Sequence, residues 1–458
     1  MTDRLARALN MKEGELPLAL LAVGFHFCVL CGYFFLRPVR DAMGVSRGMS
    51  DLRWLFVVTS IVSLALVLAF GGVVARTNRR RFIPIAYLFV IVCLLAFSGL
   101  LVWDGMAGGG LIGSNTETGL ARGVGYSFYV WLSAINLFTT SIFWAFMVDV
   151  FDVDQGKRMF AFIGIGGTLG ALVGGTATTA ISSMTTSVFL PAVLMLLGAA
   201  FFAVGIIIML TLDRLALAST SSRLSSKSPA AKALSGIEGR ATDGTVWDGL
   251  KAVVTSPYLL GIGIWIVFMA TSNTMIYFTQ ANIVLGEADT FSQRVAGFAL
   301  FDALAQFVTL LTQMFITTHL IRRMGIGWTL AILPLVTMAG FAILSVWTVY
   351  GVMAVFQAIH RATRYAVSRP SRETLFSVIP PADKYKAKPV VDVFLYRGGD
   401  VAGVGVDGLF AAMGFTLPMV AMATAPIAGV WGILSVKLGR AQQLLTQEQL
   451  ESREATGS

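Results

Sequence analysis

Stretches of about twenty predominantly apolar residues, enough for a helix to cross the hydrocarbon core of a bilayer, recur twelve times in the 458-residue chain. They begin near Pro17, Trp54, Phe82, Gly123, Met159 and Val188, then near Tyr258, Val295, Gly327, Val349, Val390 and Leu417. The runs are continuous rather than alternating, which selects helices over barrel strands. Charged residues make up 13% of the chain, against about 25% in soluble domains. With 56% hydrophobic residues, the chain cannot clothe a soluble globule, and it is too apolar for disorder. The expected fold class is an all-α integral membrane protein with twelve transmembrane helices.

The basic residues orient it. With both termini inside, 23 of the 34 lysines and arginines fall in cytoplasmic segments, while Arg47, Arg53, Arg122 and Arg294 alone lie in outer loops. That asymmetry predicts an N-in, C-in topology. The Ser/Ala/Lys-rich sequence SSRLSSKSPAAKALSG lies in a stretch that reads as a flexible cytoplasmic linker over 213–256. It separates a six-helix half, 1–212, from a second, 257–440, followed by a tail, 441–458. Arg79, Arg80 and Arg81 follow the second run, and Arg322 and Arg323 follow the eighth, so the halves echo each other. Six plus six helices around a basic central loop resembles the major facilitator superfamily. The net charge of +9 mostly reflects these orienting loops and points to no nucleic-acid partner.

Charge inside the spans is costly and therefore informative. Seven arginines remain after the loops are counted: Arg37, Arg40, Arg361, Arg364, Arg369, Arg372 and Arg397. At about 100° per residue, Gln357, Arg361, Arg364, Tyr365, Ser368 and Arg372 share one stripe of the tenth span. The first span offers His26, Tyr33, Arg37 and Arg40. The eleventh offers Lys386, Arg397 and Asp400 on one side and Lys388, Asp392 and Tyr396 on another. Neutral polar faces follow on the fourth span (Tyr129, Ser133, Asn136), the seventh (Asn273, Tyr277, Gln280) and the eighth (Asp302, Gln306, Thr309). Guanidinium forks bind phosphate or carboxylate in pairs of hydrogen bonds and stay protonated when buried. The expected substrate-binding residues are Tyr33, Arg37, Arg40, Asn136, Asn273, Tyr277, Arg361, Arg364, Tyr365, Lys386, Lys388 and Arg397. The expected coupling or gating residues are Asp302, Arg372, Glu373, Asp392 and Asp400. The other reading of the same charges is a salt-bridge network among helices.

Catalytic and metal sites are not expected. Cys28, Cys31 and Cys93 sit in apolar runs, and the three histidines are scattered without zinc spacing. Gly164, Gly166, Gly167, Gly170, Gly174 and Gly175 lack the G-x-G-x-x-G spacing and any G-K-[ST]. Gly166, Gly170 and Gly174 instead form a small-residue face for close helix packing. With no ATPase motif, transport would be secondary.

Tyr33-Phe34-Phe35-Leu36-Arg37-Pro38-Val39-Arg40-Asp41 resembles the first-span motif of the ATP/ADP translocase family of plastids and obligate intracellular bacteria, approximately Y-x-x-L-R-D-x-K-D. The resemblance continues at Phe143-Trp144-Ala145-Phe146 with Gly156-Lys157-Arg158, and at Lys384-x-Lys386-x-Lys388-x-x-x-Asp392. Tyr396-Arg397-Gly398-Gly399-Asp400 and Arg37-Pro38-Val39-Arg40-Asp41 are most similar to the free-living bacterial branch. The resemblance implies a facilitator-like fold and NTP/NDP exchange across a bacterial inner membrane. It places Arg40 where the family has a functional lysine, and Lys386 or Lys388 at another. The implied partners are a small anionic substrate (a nucleotide or organic phosphate) and the lipid bilayer, with the protein a monomer and no cofactor. The alternatives are a proton-coupled facilitator for another organic anion and a non-transporting protein that binds anions or lipid headgroups.

Overall fold

Long apolar runs leave the backbone no partners but its own, and in the computed structural model they are helical. Residues 15–74, 79–224, 246–315 and 317–457 are described, with no strand among them. The helices are α1 (Glu15–Val45), α2 (Met49–Val74), α3 (Arg79–Met106), α4 (Gly119–Val150), α5 (Val153–Met184) and α6 (Leu190–Leu224). A short helix, α7 (Val246–Thr255), precedes α8 (Pro257–Glu287), α9 (Phe291–Phe315) and α10 (Thr317–Val346). Next come α11 (Tyr350–Ala362), α12 (Arg369–Leu375), α13 (Pro381–Pro389), α14 (Tyr396–Ala412) and α15 (Leu417–Gly457). Among the described residues, ten helices are long and apolar enough to cross a membrane: α1 to α6, α8, α9, α10 and α15.

The stretches expected to span from Val349 and Val390 are composite. A π-helical turn, Thr363–Ser368, joins α11 to α12, and another, Val390–Leu395, joins α13 to α14. Proline borders both. Pro370 has no N–H and its ring crowds the preceding turn. Immediately before it, the Arg369 N–H reaches back five residues to the Arg364 carbonyl. Pro389 directly precedes the second wide turn.

Two compact units form. The first contains α1, α3 to α6, the part of α2 from Ala65 and the part of α9 up to Ala303. The second contains α2 up to Leu64, α7, α8, α9 from Leu304, and α10 to α15. Within the first, α1 packs chiefly on α5 and α6. A Cβ added at Gly166, Gly170 or Gly174 of α5 would lie 2.6, 2.2 or 2.6 Å from the carbonyl oxygens of Val23, Phe27 and Cys31 of α1. The two four-residue repeats run in step, so the backbones meet without intervening side chains. Gly170→Val should therefore destabilise the protein by more than the ~1–3 kcal/mol of ordinary overpacking, read as a lower melting temperature in detergent. An unchanged melt would mean that the seam is not tight. In the second unit α10 lies along α15, and α8 is held by α14 and α15. Trp265 and Trp431 pack at 5.4 Å in its core, where Trp265 Nε1 donates to Ser435 Oγ at 2.8 Å.

The stretch expected as a linker is partly helical. Residues 213–224 continue α6, and α7 packs on α13, where Gly249 lets it approach the Lys386 carbonyl. The physical reason is the apolar spacing of VWDGLKAVVT, whose Val253 is buried. The expected tail likewise continues α15 to Gly457. Residues 225–245 of the linker lie outside the described residues, as do Arg4, Arg7, Lys12 and Arg76. The side chains of Arg79, Arg80, Arg81, Lys157, Arg322 and Arg323 also lie outside them.

Candidate functional site

The first-unit cluster grows from the last turns of α1. A helix places Arg37, Arg40 and Asp41 within about one turn of each other, and Asp41 is buried between the two arginines. It lies 3.8 Å from Arg37, and Arg40 Nε donates to it at 3.0 Å. Arg37 Nη1 also stands 3.3 Å from Asp302 of α9, a carboxylate only 1% exposed. Arg40 Nη1 donates to Ser133 Oγ of α4 at 3.2 Å and lies 5.4 Å from the Tyr129 ring. Tyr33 is buried one turn earlier on α1, with its ring edge-on to Phe34. Asn136 is one turn beyond Ser133 on α4. The two arginines thus meet two carboxylates.

The second-unit cluster is different in charge. Arg364, in the first π turn, donates from Nη2 to Tyr396 Oη at 2.6 Å and sits over the Tyr365 and Tyr396 rings at 5.4 and 5.8 Å. These are neutral groups. The carboxylate of Asp400 is engaged by Arg397 Nη1 at 3.0 Å and by Thr274 Oγ1 of α8 at 3.4 Å. Arg361 is buried one turn before Arg364. Tyr277 of α8 packs on Phe56 of α2 at 5.6 Å, within the same unit. Asn273 is next to Thr274, and its Nδ2 is buried with no hydrogen-bond partner among the described residues.

A third group lies further along the composite helices. Arg372 is 3.4 Å from both Glu373 and Asp392. Lys388 donates to Glu373 Oε2 at 2.5 Å and lies 5.6 Å from the Phe376 ring. The Glu373 carboxylate is thus held between two cations, Lys388 and Arg372. Lys388 thus sits with the expected gating residues, apart from Arg364. Lys386 is half-buried on α13, its carbonyl against Gly249 of α7.

Three further ion pairs join residues that no local sequence pattern links. Arg158 Nη2 donates to both oxygens of buried Glu15, at 2.9 and 3.0 Å, tying α5 to the start of α1. Arg47 Nε donates to Glu117 at 3.0 Å. Arg53 Nε donates to Asp407 of α14 at 2.8 Å. Arg47 and Arg53 counted as outer-loop charges in the sequence, whereas each has a buried carboxylate partner. Gln280 and Gln357, on the polar faces of the seventh and tenth stretches, are both buried.

The family model for TLC ATP/ADP transporters matches residues 120–360. No curated relative matches the sequence. Among solved structures, the chain is similar to the nucleoside transporter NupG at 13% identity, covering 95% of this chain and 99% of that one, with a TM-score of 0.56. It is also similar to a POT family transporter in complex with a thioalcohol-conjugated peptide (12% identity, 91% and 96% covered, TM-score 0.59). A bacterial homologue of the human lysosomal transporter Spinster matches at 13% identity, with 96% and 98% covered and a TM-score of 0.51. At these identities the likeness is one of fold.

Proposed function

Because the chain belongs to the TLC ATP/ADP transporter family, we propose that this membrane transporter exchanges nucleotides, NTP against NDP, across a bacterial inner membrane by alternating access. In this reading the two composite helices supply the tenth and eleventh of twelve spans, both termini are cytoplasmic, and the protein works as a monomer without a chemical step. The observation that carries the substrate class is Arg364. Its guanidinium is held by tyrosines while the nearby Asp400 is engaged by Arg397. A cation kept among neutral partners is stabilised by an incoming anion, and its fork fits phosphate. In the first unit, Arg37 and Arg40 already have Asp41 and Asp302, so phosphate must compete there with built-in carboxylates. The substrate would bind Arg364, Arg361 and Arg397 of the second unit first, while Arg37, Arg40, Tyr33 and Asn136 of the first unit form a weaker anion-binding group of their own. Arg372, Glu373, Lys388 and Asp392 would act as a gate whose ion pairs break and re-form, and Lys386 would hold the α7 contact.

The decisive measurement uses the purified protein in liposomes loaded with ADP or orthophosphate. Labelled ATP should accumulate only when counter-substrate is inside. The absence of any nucleotide or phosphate exchange, with or without a proton gradient, would sink the proposal. Asp400, buried between Thr274 and Arg397, favours one second reading, a proton-coupled organic-anion carrier. That reading predicts uptake into empty liposomes driven by the gradient alone.

A further inference from the structure

Ten buried side-chain polar atoms of the second unit have no hydrogen-bond partner among the described residues, and four of them fall on two facing helices. The four are Asn273 Nδ2 and Gln280 Oε1 on α8, and Gln357 Oε1 and His360 Nε2 on α11. Gln280 is 2% exposed, Gln357 4% and His360 2%. Buried polar atoms are almost always paired, and an unmade bond in a low-dielectric interior is expensive. Four on one pair of facing helices, all on polar side chains, would be satisfied together by an occupant with matching hydrogen-bonding groups.

Their depth is fixed at two levels. At one end of the helix pair, the Tyr350 N–H that opens α11 donates to Glu287 Oε1, the last residue of α8, at 3.3 Å. Deeper, Thr274 of α8 meets Asp400, whose partner Arg397 adjoins the Tyr396 that holds Arg364. Gln280 lies seven residues from Glu287 and Gln357 seven from Tyr350, so the two amides share a level. Asn273, Gln280 and Glu287, at seven-residue spacing, lie along one face of α8. Gln357 is seven residues from Arg364, about 10 Å along the axis. α8 packs mainly on α14 and α15, and α11 on α10 and the π turn, so α8 and α11 can part with little loss of packing.

We infer that Gln280 and Gln357 form a neutral subsite for the amino edge of adenine or cytosine, about 10 Å along the helix axis from the phosphate-binding Arg364. This rests on the nucleotide reading above. Two free amide oxygens call for two donors, and the 6-amino group of adenine or the 4-amino group of cytosine presents two hydrogens on one nitrogen. Glutamine reads the adenine edge in the same chemical language in nucleic-acid complexes. Asn273 Nδ2 and His360 Nε2 can then meet ring nitrogens or ribose hydroxyls.

The test is equilibrium binding to the full-length protein in detergent, with ATP, ITP, CTP, UTP and tripolyphosphate as probes. ITP replaces the amino group of ATP with a carbonyl. A site built to accept hydrogen bonds should reject it. The wild type should bind ATP roughly tenfold or more tightly over ITP, or CTP over UTP by a similar ratio, which tells adenine from cytosine. Gln280→Leu and Gln357→Leu should each collapse that ratio to about twofold or less. Tripolyphosphate affinity is the folding control for both variants. Equal affinity for the amino and oxo nucleotides in the wild type, or a ratio that survives both substitutions, overturns the subsite while leaving nucleotide exchange standing. Failure to bind any nucleotide overturns both.

Discussion

Arg364→Gln should lower nucleotide exchange by about two orders of magnitude while the protein still inserts and migrates as a folded species. Charge-assisted hydrogen bonds are worth ~1.5–3 kcal/mol each, and a fork that binds phosphate makes two of them. Losing one such bond's worth at the upper end is about a hundredfold in affinity. The variant keeps the hydrogen-bonding ability of an amide, so the contact with Tyr396 need not be lost with the charge. Arg364→Lys should recover part of the activity, because it restores charge without the planar fork. Tyr396→Phe removes the 2.6 Å partner that aims the guanidinium, and should cost less than the loss of charge. Counterflow in liposomes measures all three. Full activity in Arg364→Gln would relegate the arginine to helix packing.

The second large effect concerns Arg37 and Asp302. Asp302 is nearly inaccessible and stands 3.3 Å from the guanidinium. Breaking a buried pair from one side typically costs ~3–5 kcal/mol, whereas replacing both members by apolar residues is often neutral. Asp302→Leu alone should lower the melting temperature markedly, since Asp41 must then serve both Arg37 and Arg40. Arg37→Met alone should do the same by taking the guanidinium from the buried Asp302 carboxylate. The double variant should melt close to the wild type but transport poorly. A double-mutant cycle reads the coupling directly. Strictly additive losses would show that the two charges do not depend on each other.

Much of this was legible in the residues. Helices and their approximate bounds follow from apolar runs, because a bilayer offers the backbone no other partner. The seam of Gly166, Gly170 and Gly174 could be read from its four-residue spacing, and it meets Val23, Phe27 and Cys31 as such spacing demands. The stripe on the tenth span was less faithful. At a constant 100° per residue Arg364 and Tyr365 mark the two edges of the stripe, but the π turn that contains both widens the helix, and Tyr365 is 42% exposed. Lys388 looked like a substrate ligand by its place in a motif, yet its ammonium sits on Glu373, fifteen residues earlier. Arg53 and Asp407 are separated by 354 residues. Such a pairing depends on which helices become neighbours, and no local periodicity carries that information. The same holds for Glu15 and Arg158, whose charges resemble ordinary solvated ends of helices until α1 and α5 are laid side by side.

The two π turns have a consequence for how this chain can be compared with others. A π turn is an α-helix with one residue inserted, and that residue rotates everything beyond it by roughly 100°. Aligned with a relative whose corresponding helices are regular, this sequence needs a single-residue gap inside Thr363–Ser368 and another inside Val390–Leu395. A gap misplaced to beyond Arg372 or Arg397 would pair that arginine with a position one residue out of register in the relative. Roles would then be transferred to side chains a quarter turn out of place, even though both alignments score almost the same.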